Sequence, residues 1–325
     1  MSKFKVYITD QDFGNIDIEK EILEPIEAQV IGLNCKDGKN IIESARDADA
    51  LIVQYANISK DTINSLNKLK IIARYGVGFD TIDINAAKEK GIICTNVEDY
   101  CTNEVANHNI SLILMLTKRI PMFIEETKKG HWHWSETNAA VHRFTNLQIG
   151  VIGFGKIAQN MTKKAQSLGF NVVAYDPFVS KDDMEKLKVY PITFDNLLKT
   201  SDIVVVQCPY NDKTHHIIGK KELSKMKTGA ILINCSRGKL VDNDALYYAL
   251  KEGHLSSAAL DDIEEEPAKK FNWDPSKNPL FSLNNCFITP HVAYYSEEAL
   301  IEARKKAANN VKAVLLNKEP LYRVV

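Results

Sequence analysis

The sequence predicts an α/β protein built from two doubly wound domains, each with a parallel sheet covered by helices. Short β-branched runs alternate with charge-bearing helical stretches along most of the chain. Most of these runs are apolar throughout, which is typical of strands buried on both faces. The chain has 325 residues, 45% of them apolar, and this is enough for two domains of ordinary size.

The predicted elements fall into two series. The first series of strands comprises residues 4–9, 28–33, 50–54, 70–74 and 91–95. A long helical stretch over residues 103–129 follows, and Pro121 should break or kink it. The second series of strands comprises residues 148–152, 171–175, 202–207, 230–235, 257–260 and 286–289. A last helix is predicted over residues 297–316 and a surface loop over residues 264–279, with a domain boundary at the long helix.

Charge and composition exclude several classes of function. The 41 basic and 42 acidic residues nearly cancel, so no overall field attracts the chain to nucleic acid or anionic membranes. No stretch approaches the roughly 20 apolar residues of a membrane span, and the first ten residues lack the apolar core of a secretion signal. The six cysteines are scattered without close pairs, which favours a reducing compartment over disulfides or zinc. We expect a cytoplasmic protein without a metal.

A dinucleotide-binding motif opens the second series. Residues 149–158 read IGVIGFGKIA, which places G-x-G-x-x-A between an apolar strand and an amphipathic helix. Gly153, followed by Phe154, would permit the tight turn, and Gly155 would let backbone N–H groups approach a pyrophosphate. Asp176 follows the next strand, about 20 residues later, where a carboxylate would bind the ribose hydroxyls and repel a 2′-phosphate. A chance glycine turn would lack this context, so the motif predicts a Rossmann domain that binds NAD.

Three residues that follow predicted strands fit the reduction of a 2-oxo acid by hydride transfer. Such a reaction needs a cation for the carboxylate and ketone, and an acid for the forming alkoxide. Arg237 suits the first role and His291 the second, while Glu266 beside an imidazole would favour its protonated form. Taken singly, they could be a helix-capping surface ion, a packing residue and a solvated acid. Three complementary residues at strand ends of one sheet favour a catalytic set.

Several motifs, in order and spacing, resemble those of the D-isomer-specific 2-hydroxyacid dehydrogenases. They are GFG at 153–155, NCSRG at 234–238, ALD at 259–261, EP at 266–267 and TPH at 289–291, with RYGVGFD at 74–80 and NEVA at 103–106. Within the family, TPHVAYYSEE at 289–298 is closest to the branch that includes the C-terminal binding proteins, which are NAD(H)-binding corepressors. The chain departs from the usual pattern at Tyr294 (usually Trp in that branch), Asp262 (usually apolar) and Gln207 (commonly His).

The resemblance implies a split fold. A Rossmann NAD-binding domain, residues 102–294, would be inserted into a flavodoxin-like substrate domain made of residues 1–101 and 295–325. Family members usually dimerise through the cofactor domain, so we expect a homodimer with residues 130–134 near the contact. We expect no regulatory domain after residue 325, unlike in the longer phosphoglycerate dehydrogenases. Feedback inhibition of the serine type through such a domain is therefore not expected.

The resemblance also implies site roles. Arg237 would anchor the substrate carboxylate and carbonyl, His291 would be the acid/base, and Glu266 would be its partner. Backbone N–H groups from across a cleft between the domains would hold the substrate carboxylate; they belong to Tyr75, Gly76, Val77 and Gly78. Tyr294 would help to form the substrate pocket. The further cofactor contacts implied are Lys156, Ile157, Cys208, Pro209, Cys235, Ser236 and Asp261.

The remaining histidines and the cysteines near the cofactor are assigned no chemistry. His215 and His216 lie in a polar loop, and His131 and His133 lack a third metal ligand. His108, one turn from Glu104 on the long helix, is expected to be a packing residue. Cys208 and Cys235 are expected to be small apolar linings.

The predicted activity is NAD-dependent interconversion of a small 2-oxo acid and its D-2-hydroxy acid. Lactate-like acids, glyoxylate or hydroxypyruvate, and larger or phosphorylated acids stay open as substrates. The alternative is an NAD(H)-sensing binding protein of the corepressor type, which keeps the fold but works through partners. The presence of Arg237, Glu266 and His291 favours the enzyme.

Overall fold

The computed structural model describes residues 2–137, 140–270 and 272–325. The described chain divides into two compact units. The first unit contains residues 2–101, 268–270 and 295–325, and the second contains the described parts of Thr102–Pro267 and Asn272–Tyr294. All pairings between the strands named below are parallel. The prediction of two parallel-sheet α/β units is therefore confirmed.

The strands of the first unit are β1 Phe4–Ile8, β2 Ala28–Gly32, β3 Ala50–Val53, β4 Ile71–Arg74 and β5 Ile93–Thr95. Those of the second are β6 Gln148–Ile152, β7 Asn171–Tyr175, β8 Tyr190–Pro191, β9 Ile203–Val206, β10 Ile231–Asn234, β11 Ser257–Leu260 and β12 Cys286–Ile288. The α-helices are, in chain order, α1 Asp17–Leu23, α2 Gly38–Ser44, α3 Lys60–Ser65, α4 Ile84–Glu89, α5 Thr102–Thr117, α6 Ile120–Lys128, α7 Lys156–Ser167, α8 Lys181–Lys186, α9 Phe194–Thr200, α10 Lys220–Lys225, α11 Asn243–Lys251 and α12 Glu297–Leu315.

The first unit has the strand order β2-β1-β3-β4-β5, which is the flavodoxin-like arrangement. β3 and β4 are buried at every position, as their unbroken apolar sequences predict. The last helix, α12, returns to pack on α1 and β4 of this unit. It begins at Ser296, whose hydroxyl accepts a hydrogen bond from the Ala299 N–H, and acidic residues in its first turn suit the helix dipole.

The second unit has the order β12-β11-β10-β9-β6-β7-β8. Strand order reverses about β6, which lies between β7 and β9, and this is where doubly wound sheets bind ligands. The core between this sheet and its helices is built from buried aliphatic side chains of β9, β10, α9 and α11. The carboxyl ends of β6, β7, β9, β10, β11 and β12 therefore share one edge of the sheet.

The long helical stretch is broken where two residues, 118 and 119, separate α5 from α6. Arg119 has a φ of +55°, and Pro121 occupies the first turn of α6. A proline is tolerated there because its missing N–H would have no partner within the helix. The interruption predicted at Pro121 thus lies just ahead of it.

The predicted loop over residues 264–279 contains short 3-10 helices at Pro267–Lys269, Pro275–Lys277 and Pro279–Ser282. Residues 268–270 lie with the first unit, unlike the division expected from the sequence. The Lys36 ammonium donates to the Ala268 carbonyl at 2.7 Å, and Lys269 Nζ lies 3.0 Å from Asp80 Oδ2. No disulfide joins the six cysteines, all of which the structure describes. Among the described helices, none has the length and apolar character needed to cross a bilayer.

Candidate active site

The glycine turn after β6 has the geometry of a cofactor cradle. Gly153 has a φ of +89°, and a Cβ there would lie 2.7 Å from the backbone N of Cys208, so the turn requires glycine. Gly155 is different, because a Cβ on it would meet no protein atom within 4 Å. It is the exposed N-cap of α7, and among the described residues no side chain caps this helix. An anion can therefore approach the N–H groups of the first turn, which starts with Lys156 and Ile157.

Asp176 follows β7 and is bound to this turn. The Phe154 N–H donates to its Oδ2 at 2.7 Å, and the Phe178 N–H donates to its Oδ1 at 2.8 Å. Each carboxylate oxygen can accept more than one hydrogen bond, so ribose hydroxyls can still be bound. The structure thus brings the predicted acid and the predicted glycines together.

The cysteines at this edge have the properties of packing residues. Cys208 follows β9 and precedes Pro209, and burial raises the pKa of its thiol to about 11. Cys235 follows β10, is almost completely buried, and has a thiol pKa raised well above its usual value by the same cause. Because the thiolate is the reactive form, neither residue is activated for redox chemistry.

Arg237 lies in a turn that packs tightly against the segment after β11. The Ser236 N–H donates to Asn234 Oδ1 at 3.1 Å, and Asn234 Nδ2 donates to the Arg237 carbonyl at 2.8 Å. A Cβ at Gly238 would lie 2.0 Å from the Ile263 carbonyl, so only glycine allows this approach. The half-buried Arg237 side chain is thereby placed beside the segment that carries Glu266.

His291 lies in a turn organised by Asp261. The His291 N–H donates to the Asp261 carbonyl at 2.7 Å, and His291 has a φ of +55°. The Asp261 carboxylate, 2% exposed, accepts hydrogen bonds from Thr289 Oγ1 at 2.6 Å, Val292 N at 2.9 Å and Ala293 N at 2.7 Å. Asp261 was predicted only as a cofactor contact, yet it fixes the backbone that presents the histidine. The ring of Tyr294 lies edge-on to that of His291, with centroids 6.1 Å apart.

The segment after β11 carries two carboxylates relevant to the predicted site, those of Asp262 and Glu266. Asp262 Oδ2 is 3.5 Å from His291 Nδ1. Glu266, with a φ of +49°, places its Oε2 2.7 Å from Lys239 Nζ. The predicted contact between Glu266 and His291 stays a prediction, whereas the contacts of Asp262 with His291 and of Lys239 with Glu266 were not foreseen.

The two acids before Glu266 have separate partners. Glu265 accepts hydrogen bonds from the amides of Asn243 at 3.0 Å and Asn278 at 3.1 Å. Glu264 Oε1 lies 2.6 Å from His216 Nε2, and the His215 ring stacks on that of His216 with centroids 4.0 Å apart. These three side chains are ligand types that a metal could use, but the hydrogen bond and the ring stacking already account for their arrangement.

His108 reaches this edge from α5. Its Nε2 is 3.2 Å from Thr289 Oγ1 and 3.7 Å from Asp261 Oδ1. The sequence predicts only a packing residue at His108, one turn from Glu104. Its position on an apolar helix gave no indication of the contact with the turn that holds His291.

The glycine loop after β4 belongs to the first unit. Gly76 has a φ of +137°, and a Cβ there would collide with the Arg74 guanidinium, which donates to the Tyr75 carbonyl. Asn96 Nδ2 donates to the Val77 carbonyl at 2.8 Å, which fixes the loop further towards Gly78. The backbone of the loop is thus held in one conformation, as an anion-binding loop requires.

The side chain of Tyr75, at the start of this loop, is buried. It is 3% exposed, and its hydroxyl donates to Glu19 Oε1 at 2.8 Å. Arg304 of α12 binds the same carboxylate with Nε at 2.8 Å and Nη2 at 2.7 Å. Burial and the adjacent Glu19 raise the pKa of Tyr75 well above its usual value, so it remains a phenol.

Comparison with known proteins identifies relatives of this chain. Residues 110–293 match the family profile described as D-isomer specific 2-hydroxyacid dehydrogenase, NAD binding domain. D-3-phosphoglycerate dehydrogenase of Methanocaldococcus jannaschii is 38% identical over 85% of the chain and 52% of its own length. Glyoxylate reductase of Thermococcus litoralis is 35% identical over 84% of the chain and 82% of its own length. The chain spans about half the length of the phosphoglycerate dehydrogenases that it matches.

The chain is also similar to a solved structure of a D-lactate dehydrogenase. D-lactate dehydrogenase of Aquifex aeolicus, crystallised with NAD and lactic acid, superposes with a TM-score of 0.88. It is 29% identical, and the match covers 96% of each chain. The prediction of an NAD-binding domain is confirmed by the family profile, and the fold is that of this structure.

Proposed function

Because the chain belongs to the D-isomer-specific 2-hydroxyacid dehydrogenase family, we propose that it is an oxidoreductase that interconverts a 2-oxo acid and its D-2-hydroxy acid with NAD. The observation that supports this most strongly is the placement of Arg237 and His291. Both follow strands of the NAD-binding sheet, at the edge that also carries the glycine turn. Ligands of doubly wound sheets bind at this edge.

NAD, when bound, supplies or accepts the hydride. The protein would hold its pyrophosphate at Gly153, Gly155 and the first turn of α7, because the space over Gly155 is open and the helix N-terminus is available. Asp176 would bind the ribose and disfavour a 2′-phosphate. The turns at Cys208 and Pro209 and at Cys235 and Ser236 follow the neighbouring strands and would line the rest of the cradle.

In ketone reduction, the imidazolium of His291 would donate its proton to the oxygen that becomes the alcohol, and in the reverse direction the imidazole would take it back. Arg237 would bind the substrate carboxylate and polarise the carbonyl with its planar guanidinium. Glu266 would act on His291 as a charge partner. In the first unit, the backbone N–H groups of residues 75–78 would be suited to bind a carboxylate.

The substrate is a small 2-oxo acid. The relatives are named for phosphoglycerate, glyoxylate and lactate, acids that share a carboxylate next to the reacting carbon. Arg237 suits this carboxylate, so we propose the substrate class, a small 2-oxo acid, and no individual substrate. The chain is further proposed to act in the cytoplasm and to form a homodimer. Two highly exposed tryptophans, Trp132 and Trp134, lie in the segment expected near the dimer contact and support the dimer.

The test of this function is the product. The protein and NADH are incubated with a 2-oxo acid whose reduction product is chiral, such as pyruvate or hydroxypyruvate, and the two enantiomers of the hydroxy acid are separated on a chiral column. The D-isomer is expected in large excess. Formation of the L-isomer, or of a racemate, would contradict the proposal.

Alanine at Gly155 should weaken NADH binding without unfolding the protein. The added methyl would project into open space where the pyrophosphate approaches, so the NADH dissociation constant should rise about tenfold or more, as overpacking costs about 1–3 kcal/mol. Fluorescence titration measures the binding, and thermal melting should be unchanged. Gly153→Ala is the contrast, because its positive φ and its contact with Cys208 predict a lower melting temperature as well. Unchanged NADH binding in Gly155→Ala would place the cofactor elsewhere.

A further inference from the structure

Asp262 is a buried carboxylate in contact with the imidazole that the proposed function uses as acid/base. The residue is 6% exposed, and its Oδ2 lies 3.5 Å from His291 Nδ1. Its Oδ1 accepts a hydrogen bond from the Ile263 N–H at 3.0 Å. Within the described part of the chain, these two contacts are the polar interactions of Asp262. The side chain therefore faces the histidine.

A carboxylate at this position needs a positive partner. Burial removes water from the anion at a cost of several kcal/mol unless a cation or several donors replace it. One backbone N–H is a small replacement, so the anion is stabilised further when His291 is an imidazolium that directs its Nδ1–H towards Oδ2. The 3.5 Å separation is that of an ion pair, and catalytic contacts are often long without substrate and shorten when it binds.

Glu266 is placed differently. Its Oε2 forms an ion pair with Lys239 at 2.7 Å, and the Glu266 side chain is 12% exposed. An ammonium at this distance offsets much of the negative charge that Glu266 presents to any other group. Asp262, in contrast, has His291 as its cationic partner.

We propose that Asp262 is a positioning residue for His291. It holds the proton on Nδ1, stabilises the imidazolium and leaves Nε2 to exchange a proton with substrate, while Lys239 reduces the influence of Glu266. This inference rests on the proposed function for its catalytic meaning, but the pairing of Asp262 with His291 can be tested without turnover. Asp262 is one of the positions at which the chain departs from the family pattern.

Other charged groups also lie at this edge of the sheet and must be held constant. Asp261 binds the backbone of the same turn, and His108 of α5 contacts Thr289 and Asp261. Arg237, Glu266 and Lys239 occupy the adjoining turns. Each test therefore changes one carboxylate and leaves these groups in place.

The kinetic test is the pH dependence of 2-oxo acid reduction in Asp262→Asn. Reduction needs the imidazolium, so the rate falls as the pH rises through the titration of His291. Removing a stabilising anion should move this fall about one pH unit lower, the small end of the effect of a charge within 4–6 Å. KM should change little compared with kcat, because Asp262 does not touch substrate.

Glu265→Gln is the matched control. It removes one negative charge from the same segment, and glutamine can still accept the amide hydrogen bonds of Asn243 and Asn278. Its pH profile should coincide with that of the wild type. Glu266→Gln should move the profile less than Asp262→Asn, and Asp262→Glu should restore part of the wild-type profile.

The second test follows the imidazole signals of His291 by NMR in the protein without substrate, assigned with His291→Gln. The wild type should hold the proton on Nδ1 and titrate at a higher pH than Asp262→Asn. Equal titration in the two proteins, or a kinetic profile of Asp262→Asn that matches Glu265→Gln, overturns the proposal. If the wild type reduces no 2-oxo acid, the proposed function fails, and the NMR comparison still decides the pairing.

Discussion

Replacement of His291 by alanine is expected to lower the rate of 2-oxo acid reduction by about 100- to 10,000-fold, the usual contribution of a positioned acid/base. The turn that carries His291 is held by the Asp261 carboxylate through Thr289, Val292 and Ala293, and none of these contacts uses the imidazole. The backbone should therefore survive the substitution. NADH affinity should remain near that of the wild type.

Steady-state kinetics and NADH titration measure the two effects separately. The matched control is His215→Ala, which removes an exposed imidazole from the same unit. It should retain the wild-type rate. A His291→Ala enzyme that turns over as fast as His215→Ala would remove His291 from the mechanism.

Replacement of Arg304 by methionine is expected to destabilise the first unit by about 3–5 kcal/mol, the cost of leaving a buried charge without its partner. Glu19, which is fully buried, receives two hydrogen bonds from Arg304 and one from Tyr75. The guanidinium also donates to the Asn15 carbonyl at 3.0 Å and lies 5.5 Å from the centre of the Phe13 ring. Its loss would expose the Glu19 anion to an apolar environment.

The stability of the first unit can be measured by hydrogen exchange of peptides from β1 and β4. Tryptophan fluorescence would not report on this unit, because the three tryptophans lie outside it. Lys306→Met is the control on the same helix. Lys306 pairs with Asp99 and Glu302, which are both well exposed, so its loss should cost no more than about 1 kcal/mol. The double variant Glu19→Leu with Arg304→Met should recover much of the lost stability. Equal exchange in Arg304→Met and Lys306→Met would contradict the role of the buried pair.

The sequence predicted every strand named above except the two-residue β8, because each of the others carries its own signal. β3, β4 and β9 are uninterrupted apolar runs, and their burial at every position is the property that such runs indicate. The helix break lies at residues 118 and 119, ahead of Pro121, because proline occupies the first turn of a helix as readily as it interrupts one. Residues 268–270 could not be assigned because their partners, Lys36 and Asp80, are far away in sequence.

The candidate site shows the same division. Gly153, Gly155 and Asp176 could be predicted because the motif and its spacing lie within one βαβ unit. The contact of His108 with Thr289 spans 181 residues, and no local pattern indicates it. The ion pair of Lys239 with Glu266 and the contact of Asp262 with His291 likewise depend on how separate turns pack. Side-chain partners of this kind follow from tertiary structure and have no sequence signature.

Consumption of NADH with a panel of 2-oxo acids, measured in parallel for the wild type and His291→Ala, distinguishes a dehydrogenase from a protein that only binds NAD(H). A dehydrogenase should show saturable, acid-dependent oxidation of NADH that is nearly lost in the variant. Tight NADH binding with no turnover on any acid would contradict the dehydrogenase and favour a protein that senses NAD(H) through binding partners.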